Sequence, residues 1–376
     1  MAVTTTRGVK GRPPAAALAG VDHVEWWVGN ARHAAHFLAA GFGFEVVAYA
    51  GPETGHRDRQ SYVLEQGDIT FVVTNALDPR SEVAHHVLRH GDGVRTVAYR
   101  VDNARETFDA LVARGGHAVA VPEVARDENG EVVSAAVAAY GDTVHALIER
   151  DAYGGAFLPG YEPADMRVAV GAPVGLTGID HIVANVGEGE LDEWVAWYER
   201  VWGFTPLQHF TEEAISTEYS ALRSTVVGNG AAVVQPINEP APGRRKSQIA
   251  EYLDYYGGPG VQHLALRTGD IVSTVQALRD RGIRTLQVPP SYYDEAPGRL
   301  AELGRDLPWE RLAELGILVD RDAGGRLLQV FTENVASRPT AFIEIIQREG
   351  ARGFGEGNFK ALFVSIEAEQ ARRGNL

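Results

Sequence analysis

Apolar residues along this chain recur with two periods, and their alternation gives its plan. Short β-branched and aromatic runs, such as residues 69–73 and 144–148, read as strands. Between them lie single amphipathic stretches, among them residues 104–114 and 271–281, with apolar positions at helical spacing. Each ends in an Arg-Gly pair, Arg114-Gly115 and Arg281-Gly282, where glycine takes the left-handed conformation that stops a helix. Near the end of the chain, Phe359, Leu362, Phe363 and Ile366 share one face of a further amphipathic helix.

The pattern occurs twice. Gly20-Val21-Asp22-His23-Val24 returns as Gly178-Ile179-Asp180-His181-Ile182, and each copy leads into an aromatic-rich helical run ending in Gly-Phe, at Phe44 and Phe204. Residues 93–100 match 260–267, and 145–150 match 343–348. The halves therefore read as divergent copies of one unit. Residues 157–175, rich in Pro and Gly and without periodicity, read as the linker. The predicted fold is α+β: two tandem halves of paired βαβββ modules, each curling into an open barrel around a cavity.

Composition narrows the chemistry. At 376 residues, 45% apolar and 23% charged, the chain is a globular protein of two ordinary domains. Its 50 acidic and 35 basic residues give a net charge of −15, which repels nucleic acid and anionic membrane, so neither is an expected partner. With no cysteine, disulfides, thiolate ligands and a cysteine nucleophile are ruled out. A metal must then be held by His, Asp or Glu. The first twenty residues lack the apolar core of a signal, and no apolar run is long enough to span a bilayer. A cytoplasmic location is the expectation.

The repeat shows where the halves differ. His181 pairs with His23, but His263 pairs with Thr96, and Glu344 falls opposite Ala146. All three residues lie in predicted strands of the second half. Strand alternation puts Phe342, Glu344 and Ile346 on one face of an otherwise apolar run. A buried, unpaired carboxylate there would cost several kcal/mol, roughly, so it needs a cation or a strong donor. Two histidines and one carboxylate can hold Fe(II) on one octahedral face and leave three positions open. A lone strand histidine is more often a core residue, and Glu344 by itself could pair with Arg348 or Arg267. The registered trio outweighs its members. His23 reads as structural, and the first half as a copy without its metal.

Long motifs now carry a family likeness. GIDHIVANV from Gly178, TEYSALRSTVV from Thr217 and QPINEPAPGRRKSQIAEYL from Gln235 are the first three. GGPGVQHLAL from Gly257, LGILVDRDAGGRLLQVFTE from Leu315, RPTAFIEIIQREG from Arg338 and GFGEGNFKALF from Gly353 follow in order. With them the chain resembles the 4-hydroxyphenylpyruvate dioxygenase family of the vicinal oxygen chelate superfamily, with its glyoxalase-like fold. The likeness is weak in the first half and dense from Gly178 onward. It implies Fe(II) on His181, His263 and Glu344. It also implies a substrate pocket of Ser224, Pro236, Asn238, Gln248, Gln262, Gln329, Phe331, Phe342, Phe354, Asn358 and Phe359. Gln235 departs from the family, which usually has an apolar residue there, and residues 295–305 are divergent.

The resemblance further implies conversion of 4-hydroxyphenylpyruvate and O2 to homogentisate and CO2 in tyrosine catabolism. The alternatives are 4-hydroxymandelate synthase, with the same iron site and substrate, and a non-catalytic ligand-binding protein of the same fold. Pro236, Asn238 and Phe359 match the homogentisate-forming pattern. The expected layout is a disordered tail over 1–16, a metal-free N-terminal vicinal oxygen chelate domain over 17–156, the linker 157–175, and a catalytic domain over 176–376 ending in a lid helix. A homo-oligomer, dimer or tetramer, is expected.

Overall fold

The computed structural model describes residues 13–164, 172–211, 219–230 and 232–375. In the first half, β1 (Gly20–Trp27), α1 (Ala31–Phe37), β2 (Glu45–Ala50), β3 (Arg59–Gln66) and β4 (Ile69–Ala76) make one βαβββ module. After α2 (Glu82–His90), a second module runs through β5 (Gly93–Arg100), α3 (Ala104–Ala113), β6 (Ala118–Asp127), β7 (Gly130–Ala138) and β8 (Val144–Glu149). The short β9 (Glu162–Pro163) completes this sheet along the edge of β2.

The second half repeats the order with β10 (Leu176–Asn185), α4 (Leu191–Trp197), β11 (Thr205–Phe210), β12 (Ala221–Gly228) and β13 (Val234–Ala241). α5 (Gln248–Tyr256) then leads to β14 (Gly260–Thr268) and α6 (Ile271–Asp280). Two further helices, α7 (Pro290–Leu300) and α8 (Trp309–Leu315), come before β15 (Leu318–Asp322), β16 (Gly325–Phe331) and β17 (Phe342–Glu349). They occupy the region that departs from the repeat. The chain closes with α9 (Phe359–Arg372).

In every module the first strand lies parallel to the fourth: β1 with β4, β5 with β8, β10 with β13, β14 with β17. Antiparallel pairing of β1 with β5, and of β10 with β14, joins the modules into one curled sheet per half. The helix starts repeat as well. Ser81 and Ser247 cap α2 and α5, while Asn103 and Asp270 cap α3 and α6, each accepting from the N–H three residues on. Such a cap contributes about 1 kcal/mol.

Polar and aromatic groups fill the seam between the halves. Gln235 is buried; its amide donates to Tyr140 Oη at 2.8 Å, and its carbonyl oxygen accepts from Tyr99 Oη at 3.4 Å. Both tyrosines belong to the first half, so this buried amide has its partners across the seam. His145 Nε2 meets Tyr198 Oη at 2.6 Å and packs edge-on against Trp202.

Two boundaries differ from the sequence reading. Of the expected tail, residues 1–12 lie outside the described residues. Pro14 and Ala16 are tied in, the carbonyl of Pro14 accepting from Arg114 Nη1 and Ala16 N–H donating to Trp202 O. Residues 157–164 belong to the first half rather than to a free linker; 165–171 lie outside the described residues. Phe157 is 1% exposed and packs with Ala48, Val63 and Val72, so that it fills the first barrel from within. Among the described residues no helix is long and apolar enough to cross a membrane.

Removing the Phe157 ring leaves a void among Ala48, Val63 and Val72. Phe157→Ala should cost about 3–5 kcal/mol in urea unfolding followed by circular dichroism. A loss below about 1 kcal/mol would mean the segment is a linker after all.

Candidate metal centre and cavity

Register brings three residues of the second half together. His181 comes from β10, His263 from β14 opposite Val183, and Glu344 from β17 beside Ala265. Glu344 Oε2 lies 3.3 Å from His181 Nε2 and 3.5 Å from His263 Nε2. Two neighbouring ligands about 2.1 Å from one ion would sit roughly 3 Å apart, so a small ion fits with little movement. All three side chains are buried or nearly so, in a position where charge needs a partner.

Hydrogen bonds orient each donor. Asp180 Oδ1 accepts from His181 Nδ1 at 2.8 Å, which leaves Nε2 facing the centre. Arg348 clamps Asp180 with two bonds of 2.8 Å and also holds the carbonyl of Gly353 at 2.7 Å. His263 Nδ1 lies 3.1 Å from Gln262 Oε1, and its ring stacks on Phe342 with centroids 4.6 Å apart. Gln329 Nε2 donates to Glu344 Oε1 at 2.9 Å, and Asn358 Nδ2 donates to Gln329 Oε1 at 3.0 Å. One carboxylate oxygen is thereby fixed and the other faces the histidines. Gly355 makes this relay possible: at φ +77, a Cβ there would stand 2.1 Å from Gln329 Oε1.

The electrostatics follow from these contacts. Burial alone would lower His181, but Glu344 and Asp180 outweigh it and carry the imidazole up to about 9. Burial would raise Glu344, yet the two histidines bring it down to about 2. Asp180 is likewise held well below the carboxylate range, since His181 and Arg348 outweigh its desolvation. Burial lowers His263, so it stays neutral near pH 7.

Every residue expected in the substrate pocket lines one cavity with this trio: Ser224, Pro236, Asn238, Gln248, Gln262, Gln329, Phe331, Phe342, Phe354, Asn358 and Phe359. Ser224 and Asn238 stand opposite each other across β12 and β13. Phe331 and Phe342 meet edge to face at 6.2 Å, and Phe354 lies edge-on to His181 at 5.2 Å. Phe359, Leu362, Phe363 and Ile366 of α9 line the cavity as well. Among the described residues no Lys or Arg lines it. Neither arginine considered as a partner for Glu344 takes that part; Arg348 is engaged by Asp180.

Other lining and orienting residues were not foreseen. Phe210, Leu222 and Val226 reach the cavity through barrel closure alone. Asp180 and Arg348 had a signal, because the first half holds the same device. There Asp22 binds His23 at 2.8 Å and Arg150 at 2.8 Å, and Phe157 lies edge-on to His23 at 5.1 Å. At the register of His263 the first half has Thr96, bonded to Glu25 at 3.1 Å, and at that of Glu344 it has Ala146.

Comparison with known proteins gives two family models and a set of full-length relatives. Residues 14–157 match the model described as hydroxyphenylpyruvate dioxygenase, N-terminal, and residues 178–296 match the glyoxalase/bleomycin resistance protein/dioxygenase superfamily. The 4-hydroxyphenylpyruvate dioxygenase of Yarrowia lipolytica is 45% identical over 95% of this chain and 93% of its own length. That of Dictyostelium discoideum is 44% identical over 95% of this chain and 100% of its own. Among solved structures, a variant of 4-hydroxymandelate synthase from Streptomyces coelicolor is 34% identical with a TM-score of 0.82, covering 95% of this chain and 99% of that one.

The raised His181 sets a pH dependence for metal uptake. At pH 7 the metal-free imidazole is protonated, and a ligand nitrogen must give up that proton. Binding should therefore release about one proton per chain at pH 7, and affinity should climb about tenfold per pH unit until it flattens near 9. A metal titration in weakly buffered solution measures both. Affinity independent of pH between 6 and 8, roughly, would contradict the site's coupling.

Proposed function

The chain belongs to the 4-hydroxyphenylpyruvate dioxygenase family, and on that premise we propose that it converts 4-hydroxyphenylpyruvate and O2 to homogentisate and CO2, with Fe(II) held by His181, His263 and Glu344. The observation that carries the proposal is a two-histidine, one-carboxylate donor set at the base of an aromatic cavity that no Lys or Arg lines among the described residues. Iron bound there supplies the redox chemistry that activates O2 and drives decarboxylation of the 2-oxo acid.

The remaining work falls to the protein. Two neutral imidazoles and one carboxylate leave a divalent ion with one net positive charge, which suits a monoanionic 2-oxo acid. With no Lys or Arg among the described lining residues, the substrate carboxylate is directed to the metal centre and away from the walls. Phe331, Phe342, Phe354 and Phe359 offer flat and edge contacts to the aryl ring. Ser224, Asn238 and Gln248 give its polar end neutral hydrogen-bond partners. Gln329 and Asn358, expected as pocket residues, also keep Glu344 aimed at the histidines. α9 serves as the lid that excludes water once the ligand is in place. We place the enzyme in the cytoplasm as a homo-oligomer.

Similarity to 4-hydroxymandelate synthase favours one second reading, oxidation of the benzylic carbon of the same substrate. Phe359, the first residue of α9, separates the two. Its ring packs edge-on against Phe210 at 5.1 Å, and so stands as a fixed wall limiting the tilt of the substrate ring. A difference of about 1.4 kcal/mol between the two barriers shifts the product ratio tenfold.

Wild type should give homogentisate as the main product by mass spectrometry and NMR, and Phe359→Ile should leak toward 4-hydroxymandelate. Chiefly mandelate from the native chain would reject ring oxidation while leaving the metal centre intact. Glu344→Ala should lose both iron and turnover, whereas His23→Ala should keep both; iron loss in the His23 variant would defeat the ligand assignment.

A further inference from the structure

A second group of metal-binding side chains lies at the seam between the halves, away from the catalytic trio. His86 and His90 are one turn apart on α2, and Asp142 sits in the turn between β7 and β8. One ligand atom from each lies within 4.8 Å of the other two. The turn is pressed against the second half: a Cβ on Gly141, at φ +57, would meet the carbonyl of Pro259 at 2.3 Å.

The hydrogen bonds here are incomplete in an informative way. His90 Nδ1 donates to the carbonyl of Tyr256 at 2.5 Å, which directs its Nε2 lone pair toward Asp142 Oδ2, 2.8 Å away. A neutral imidazole and a carboxylate cannot face each other at that distance without a positive charge between them. A proton on His90 would satisfy this pair. It would not satisfy His86, 94% buried, whose Nε2 has no partner among the described residues. Trp27, edge-on at 5.1 Å, and the neighbouring His90 ring hold the imidazole in place.

We propose that His86, His90 and Asp142 form a structural site for a divalent transition-metal cation of the zinc class, with water as the fourth ligand. Two imidazoles and a carboxylate are a usual donor set for such an ion. Donation from a ligand histidine's other nitrogen to a backbone carbonyl, as from His90 to Tyr256, is the usual way to fix its tautomer. The ion would tie α2 to the β7–β8 turn where both meet the second half. Arg89, whose Nη1 lies 3.2 Å from Asp142 and whose side chain is 63% exposed, competes for the carboxylate and must swing aside. The site is in the half expected to lack a metal, but not at the position that matches the catalytic trio.

Zinc(II) titration of metal-free protein against a competing chelator tests this with four chains: wild type, Asp142→Asn, Glu344→Ala and the double variant. Glu344→Ala removes the catalytic centre from the count, so the reading of that centre and this proposal fail separately. Glu344→Ala should retain one zinc ion per chain, and the double variant none. In the Glu344→Ala background zinc should also raise the unfolding temperature, an effect lost with Asp142→Asn. Arg89→Ala should tighten binding by removing the competing cation. His86→Gln provides a second loss-of-site variant, with near-UV circular dichroism as the check on folding. Absence of zinc from Glu344→Ala, or equal zinc in that chain and the double variant, overturns the proposal.

Discussion

Glu344 sits in the middle of β17 with isoleucines on both sides and is 1% exposed. An ionised carboxylate in that position is costly by several kcal/mol, roughly, unless it is paired and fully hydrogen-bonded. The second half is arranged around meeting that demand. Gln329 occupies one oxygen, while His181 and His263 face the other across strands that only the curled sheet brings together. Asp180 and Arg348 fix His181 from behind, and Arg348 reaches on to the backbone of the glycine-rich loop carrying Phe354. The glycine-rich loop that leads into α9 is thus linked through Arg348 and Asp180 to His181. Loosening either end would be felt at the other.

The first half shows what the same frame does without that constraint. It keeps the Asp-His-Arg device in Asp22, His23 and Arg150, and an aromatic ring against the histidine in Phe157. Threonine and alanine stand at the other two positions, and a buried ring fills the barrel. No carboxylate has to be neutralised at the Ala146 position, and the space has become core. At the site itself, divergence has therefore acted on two side chains and one loop, while the strand order and the caps shared by α2 and α5 and by α3 and α6 were retained.

Most of this architecture was legible because the chain contains its own comparison. Aligning the halves picked out His263 and Glu344 as differences, and the periodicities placed the strands. The same reasoning passed over Asp180 and Arg348, since a pair present in both halves looks structural when differences are the signal. Residues 157–164 read as linker from their Pro and Gly content. Their role depends on Phe157 reaching back to His23, a tertiary contact that local composition does not record. Gln235 is similar, with partners 95 and 136 residues away. Phe210, Leu222 and Val226 have no local mark at all, because barrel closure alone selects which face of β11 and β12 looks inward.

The central claim is that the buried carboxylate and two imidazoles form an iron centre of the second half. An anomalous difference map at the iron edge, from crystals of iron-loaded chain, tests it most directly. The account predicts one peak per chain within bonding distance of His181 Nε2, His263 Nε2 and Glu344, and none beside His23. A peak beside His23, or none at the trio in protein that carries iron, would contradict it.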